Sequence, residues 1–364
     1  MMRKAGAVRR HRQPWIVRIA SPLANAHSAA MPNLIAKPAM PTPFSHRVWL
    51  LASVTALLGL ALPATAQPSP GGTVRLLVGY AAGGPVDAMA RIFAPALAQE
   101  LGANVIVENK PGASGALAGE FTVGVPPDGS TLFFAASPTI TIVPNIQKKL
   151  RYDPARDLSA LAPLLNYANV LVVPRASPLR SVAELLASAR ANPGKLFYGS
   201  AGVGASNHLS GELLALQGGV QLVHVPYKGN APAMNDVIGG QLQMMFDIVG
   251  GAQKFITSGQ VRALAVTSAR RNPMLPEVPT LREAGLPSYE VNGWMGLYGP
   301  PKLAGTAAER LVEATHRVQA SADFQARLVA LGYAPWIGSG AELVAVAARE
   351  RALWATVAKG IEIE

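Results

Sequence analysis

From residue 74 onward, short runs of β-branched and aromatic residues alternate with longer stretches in which apolar positions recur every three or four residues. The first pattern is that of a buried strand, the second that of a helix with one face on a core. Strands are expected at 74–80, 104–108, 131–135, 169–173, 196–198, 222–225, 242–247, 263–267 and 294–298. Helices are expected at 85–101, 181–191, 206–217, 231–238, 307–320, 323–331 and 341–361, with Ser181 and Glu184 forming a capping-box start. This alternation predicts an α/β fold with largely parallel sheets. A single core stops growing near 300 residues, so a chain of 364 is expected to divide into two lobes. No fixed-period repeat and no low-complexity linker interrupts the pattern.

Before residue 67 the pattern is different. An uncharged apolar run, 48–62 (VWLLASVTALLGLAL), follows a basic segment and ends in Pro63-Ala64-Thr65-Ala66. It is shorter than the roughly 20 residues a membrane-spanning helix needs, and it is followed by an Ala-x-Ala site. Residues 1–66 therefore read as a secretory signal peptide with an extended basic n-region, cleaved before Gln67, and Met40 would begin a signal of ordinary length. The same segment accounts for most of the charge. Eight of the 32 Lys and Arg residues lie in 1–66 with no Asp or Glu, so the net charge of +11 falls to about +3 for the rest. Without a basic run interleaved with aromatics, nucleic acid is not an expected partner. The chain has no cysteine, which removes disulfides, thiolate metal sites and cysteine nucleophiles. With Gln67 after the cleavage site, no lipid anchor is expected, and the location implied is periplasmic.

Three strand-to-helix junctions are built from Gly and small residues: 78–87, with Tyr80, Ala81, Ala82, Gly83, Gly84 and Asp87; 135–139, with Ser137 and Thr139; and 198–208, with Ser200, Ala201, Gly202, Gly204, Ser206 and His208. Loops at the carboxyl ends of parallel strands, followed by helix N-termini, offer free N–H groups and a partial positive charge, so together they suggest an anion or carboxylate site. Each glycine could instead serve only its turn, and Asp87 and His208 could serve only as local caps. Asp247, at the carboxyl end of an apolar strand, is either paired or faces a cleft. No G-x-S-x-G elbow, phosphate-binding loop or H-E-x-x-H helix is present.

The segments VRLLVGYAAGGPVDAMAR (74–91), VIVENKPGASGALA (105–118), PPDGSTLFFAASPT (126–139), ANPGKLFYGSAGVGASNHLSGELL (191–214), VHVPYKGNAPAMNDVIGGQLQMMFD (223–247) and NGWMGLYGPP (292–301) follow one another in an order and spacing that resembles the Bug family of TctC-like solute receptors. The resemblance covers 70–360. It implies a Venus-flytrap fold of two lobes, 67–167 with 291–364 and 168–290, joined by crossings near 167–174 and 290–297. It implies that a small organic carboxylate is held between the lobes by main-chain amides and hydroxyls. Carried over by position, the site comprises Tyr80 to Gly84, Asp87, Ser137, Thr139, Ser200 to Gly204, Ser206, His208 and Asp247. Ala82 stands where the family commonly has proline. The resemblance further implies no cofactor or metal, no catalysis, a monomer, and membrane permease subunits as the partner receiving the ligand. A ligand sensor for a signalling kinase and a periplasmic enzyme on the same scaffold remain alternatives.

Overall fold

The computed structural model describes residues 72–303 and 305–357; the basic n-region, the apolar run and the cleavage site lie outside the described residues. Apart from the short helical turns Ala113–Gly115, Ser137–Thr141, Val143–Ile146 and Pro154–Asp157, the order of elements is β1 (Thr73–Val78), α1 (Pro85–Leu101), β2 (Asn104–Asn109), α2 (Ala116–Val123), β3 (Thr131–Ala136), β4 (Ser159–Pro174), α3 (Val182–Ala191), β5 (Phe197–Ser200), α4 (Ser206–Gly218), β6 (Val223–Pro226), α5 (Asn230–Ile238), β7 (Met244–Ile248), α6 (Val249–Thr257), β8 (Val261–Val266), β9 (Asn292–Gly299), α7 (Gly305–Ala320), α8 (Ala322–Ala330), β10 (Ala334–Pro335) and α9 (Gly340–Val357). Among the described residues no helix is long and apolar enough to cross a membrane.

Local sequence explains the elements that place the site. In α1, Pro85 occupies the first turn, where its missing N–H is not needed. Val86, Met89, Ala90, Phe93, Ala94, Leu97 and Leu101 then bury one face at three- and four-residue spacing. Gly102 ends the helix at φ 59°, a left-handed conformation that favours glycine. Ser181 caps α3 by accepting the Glu184 N–H at 3.1 Å, as its position predicts, while Glu184 reaches back to the Arg180 N–H at 2.7 Å.

The strands are ordered β2-β1-β3-β9-β4-β7-β5-β6, with β8 and β10 also on β4. Parallel pairing joins β1 to β2 and β3, and β5 to β6 and β7. The centre is antiparallel, because the chain runs out along β4 and returns along β9 beside it. The 16-residue strand β4 serves both halves: Ser159 to Ala168 pair with β9, and Asn169 to Pro174 pair with β7 and β8. Only its second part reads as a strand in the sequence. The first part carries Pro163, which cannot donate to a ladder, and the register shifts on either side of it.

Each lobe has its own core. Phe93, Phe134, Leu97, Leu164 and Val318 lie in the first, and Leu171, Leu185, Tyr198, Phe246 and Tyr289 in the second. The first cluster also includes Ala201 just after β5, Ala205 at the start of α4 and Ile248 at the end of β7, so apolar contact continues across the gap between the lobes. The carboxyl ends of β1, β3, β5 and β7 therefore deliver their loops to one place.

Candidate functional site

The three junctions come together, but many of their side chains fasten the loops rather than face an opening. Below the first loop, Asp87 is buried and accepts the Gly83 N–H at 2.9 Å and the Asn109 Nδ2–H at 2.9 Å, together with Arg91 Nε–H. Burial pushes its carboxyl up, but the hydrogen bonds from Arg91, Gly83 and Asn109 outweigh that and hold it below the usual carboxylate range. Asn109 also donates to the Tyr80 carbonyl at 3.0 Å. In the third loop, the Gly204 N–H donates to His208 Nδ1 at 3.0 Å, the Ala201 N–H to Asn207 Oδ1 at 3.1 Å, and the Gly202 N–H to Ser200 Oγ at 3.1 Å. These bonds set loop shape, so Asp87, Ser200 and His208 act one layer behind the backbone they support.

The hydroxyls of the first two junctions form a seam across the lobes. Tyr80 donates its O–H to the Ser114 carbonyl at 3.1 Å, and Thr139 Oγ1 donates to the same carbonyl at 2.7 Å. Ser114 Oγ in turn donates to the Val203 carbonyl at 2.6 Å in the opposite lobe. Tyr167 on β4 is buried with Ser137 and Ser206 beside its phenol, and burial raises that phenol to about 12. Ser114 was not among the residues singled out. Its backbone is left-handed at φ 51°, and the Gly112-Ala113-Ser114-Gly115 turn was the signal that could have found it. Tyr167, Asn109 and Asn230 were missed for a different reason, since each meets partners well separated in sequence, whereas Asn207 holds the Ala201 and His208 N–H groups from within the third junction itself.

Two glycine positions show how close the lobes come. A Cβ on Gly229 would lie 2.9 Å from the Ala81 nitrogen, and a Cβ on Gly204 would lie 2.4 Å from Ile146. The direct polar link at the first of these is the Ala81 N–H, which donates to the Lys228 carbonyl at 3.0 Å. Lys228 thus meets the first loop through its backbone, while its side chain is exposed. Beside this link the first turns of α1 and α5 face each other. The position of a Cβ on Gly84 is 3.9 Å from both the Asn230 and Ala231 nitrogens.

Between those helix ends lies a cavity of about 410 Å³. Gly83, Gly84 and Pro85 form one wall and Asn230 and Ala231 the opposite one; Met89, Ile92, Met234, Phe255 and Leu331 give it an apolar body. Asp247 is at its inner end, with Oδ1 accepting hydrogen bonds from Asn230 Nδ2 and, at 2.8 Å, from the Ile248 N–H. Burial pushes its carboxyl up to about 7 against those two bonds. Among the described residues the Ala82 and Gly84 N–H groups have no protein acceptor. Neither helix is capped by a side chain at its N-terminus. Such an arrangement can hold an anion with oriented N–H donors and two helix dipoles, without a guanidinium clamp. No group of three or more His, Asp or Glu among the described residues could hold a metal ion.

The family model for the TctC receptor of tripartite tricarboxylate transporters matches residues 89–363. The chain belongs to that family. Three solved structures have the same architecture. BugD, a periplasmic binding protein, is 33% identical, with a TM-score of 0.78 over 81% of this chain and 100% of its own. The R. palustris protein Rpa4515, solved with adipate, is 33% identical, with a TM-score of 0.77 over 80% of this chain and 97% of its own. MatC from Rhodopseudomonas palustris, solved with bound malate, is 30% identical, with a TM-score of 0.75 over 79% of this chain and 99% of its own. These matches agree with the two-lobe periplasmic-binding-protein fold and the Bug and TctC resemblance drawn from the sequence.

Proposed function

We propose that this TctC receptor is a periplasmic, non-enzymatic solute-binding protein that captures a small organic carboxylate between its lobes and hands it to membrane permease subunits. The observation that carries the reading is the cavity flanked by two uncapped helix N-termini and by the buried Gly84 N–H, which has no protein acceptor among the described residues. Support comes from the relatives solved with adipate and malate. The lobes are assigned as 67–167 with 291–364, and 168–290. Their hinge lies where β4 changes partners and where the chain re-enters β9. The receptor acts as a monomer, released by cleavage before Gln67. That Ser200, His208 and His224 bond into the third loop supports binding rather than turnover, since each is committed to holding backbone or its neighbour.

Calorimetric titration of the chain from residue 67 with linear mono- and dicarboxylates of two to ten carbons, adipate and malate included, tests this. At least one acid is expected to saturate at a 1:1 ratio, and its uncharged amide is expected to bind at least about 100-fold more weakly, because ionised acceptors gain most from buried N–H donors. Equal binding of acid and amide, or no binding by any acid, would refute it.

A further inference from the structure

Asp247 is 2% exposed, and its two oxygens have different surroundings. Oδ1 is held by Asn230 and the Ile248 N–H, whereas Oδ2 has no hydrogen-bond partner among the described residues. Oδ2 faces the cavity wall, where a Cβ on Gly251 would lie 3.3 Å from it and 3.1 Å from Pro85 at the start of α1. The cavity thus has two helix N-termini that favour an anion, and a carboxyl group at its inner end.

Two carboxylates cannot share such a space unless one carries a proton. The other titratable groups lining it are Lys254 from α6 and the Tyr333 phenol from the segment before β10. Asn230 and Asn235 are the polar side chains from α5, and α1 contributes Pro85, Ala88, Met89 and Ile92. Lys254 favours the ionised form of Asp247, but burial is the larger effect. Among the described residues no cation is paired with Oδ2, so the low-energy partner for an incoming carboxylate is a neutral Asp247 with a hydrogen to give.

We propose that Asp247 takes up a proton when ligand binds and donates it from Oδ2, in a hydrogen bond, to a ligand carboxylate lodged between the N-termini of α1 and α5. The ligand arrives ionised, the proton comes from solvent and forms the Asp247 O–H bond, and no bond within the ligand forms or breaks. The proposal rests on the carboxylate-receptor reading and adds the position of one carboxylate and the protonation state of its partner. It requires a carboxylate, rather than an ammonium group, at the inner end of the cavity.

The test is calorimetric titration of the intact mature chain with the same series of acids, at pH values from 6 to 8.5 and in buffers of different ionisation enthalpy. Affinity is expected to fall about tenfold per pH unit above the free-protein titration of Asp247, with uptake of close to one proton per ligand at pH 8.5. Asp247→Asn keeps the Oδ1 acceptor and places an N–H donor at the other position, so it is expected to bind with an affinity that does not change over this range. Affinity that rises with pH, with proton release, would overturn the proposal in favour of an ionised Asp247 facing a ligand cation. Binding by the parent protein that is independent of pH would overturn it as well, whether or not the variant folds. Failure of every acid to bind at any pH would instead remove the carboxylate-receptor reading and this proposal together.

Discussion

Gly229→Ala is expected to weaken ligand binding about 5- to 150-fold while leaving the protein folded. The new methyl would sit 2.9 Å from the Ala81 nitrogen and 2.9 Å from the Ala81 Cβ, on the loop of the opposite lobe. Overpacking of this kind costs about 1–3 kcal/mol. That cost falls on the closed form alone, because the contact is made only where the lobes meet, and about 1.4 kcal/mol is tenfold in affinity. Gly229 also has φ 155°, which alanine adopts with strain, so some loss of thermal stability is expected without ligand. Gly240→Ala separates the two effects: its φ of 74° is also unfavourable for alanine, though less so than the φ 155° and ψ 170° of Gly229, and nothing lies within 4 Å of the added carbon. Calorimetry and thermal unfolding on both variants should show stability lost in each and affinity lost in Gly229→Ala only. Equal affinity loss in the two would mean that the contact with Ala81 is not part of the bound state.

The His208–His224 pair should make the second large effect visible, as a change in how stability responds to acid. The rings lie 4.0 Å apart, His208 Nδ1 accepts the Gly204 N–H, and His224 Nε2 is 2.6 Å from Ser200 Oγ. Burial pushes His208 down to about 4; burial and the neighbouring His208 push His224 down to about 3. Both are neutral in the folded protein at neutral pH. Below about 6.5 the unfolded chain binds protons that the folded chain refuses, so their contribution is present above that pH and is lost as pH falls toward the folded values. Asp247 and Glu350 act in the opposite sense, since burial raises each to about 7 and folding then favours their protonated forms. Their contribution is complete below the unfolded carboxylate range and is lost as pH rises through 7. The two pairs offset each other between about pH 4.5 and 6.5, and the fall in stability is expected below that window. His224→Gln removes one side of the balance. Relative to the parent, its unfolding free energy should shift in its favour by about 2 kcal/mol between pH 6.5 and 5, at about 1.4 kcal/mol per unit for one proton. Denaturant unfolding at a series of pH values measures this, and parallel curves for parent and variant would show that the half-buried His224 is not held neutral.

What could be read from the sequence was local. Pro85 and Gly102 mark the two ends of α1, Ser181 marks the start of α3, and the Gly-rich junctions announce strand ends that face helix N-termini. The residues that shape the site through long-range contacts were hidden for the reason that makes them useful. Ser114 reaches Val203, 89 residues away, and Asn230 meets Asp247 only because α5 and β7 are neighbours in the second lobe. The roles of Asp87 and His208 were also ambiguous in the sequence, since a polar residue in a first helical turn can face a ligand or its own loop. Here the Gly83 and Gly204 N–H groups occupy them. The first part of β4 was invisible because its partner β9 is more than 120 residues further along the chain and Pro163 breaks the pattern. Asp247 carried the clearest warning, a carboxylate at the end of an apolar strand, and it lies in the cavity with one oxygen unpaired.

Closure of the lobes around an organic acid would be hinged at the partner change in β4 and at the re-entry into β9. Small-angle X-ray scattering on the chain from residue 67, with and without a saturating acid identified by titration, reads this closure. A smaller radius of gyration is expected in the bound form, because a ligand that touches both lobes stabilises the closed state by its differential contacts. An unchanged radius with a tightly bound acid would contradict it.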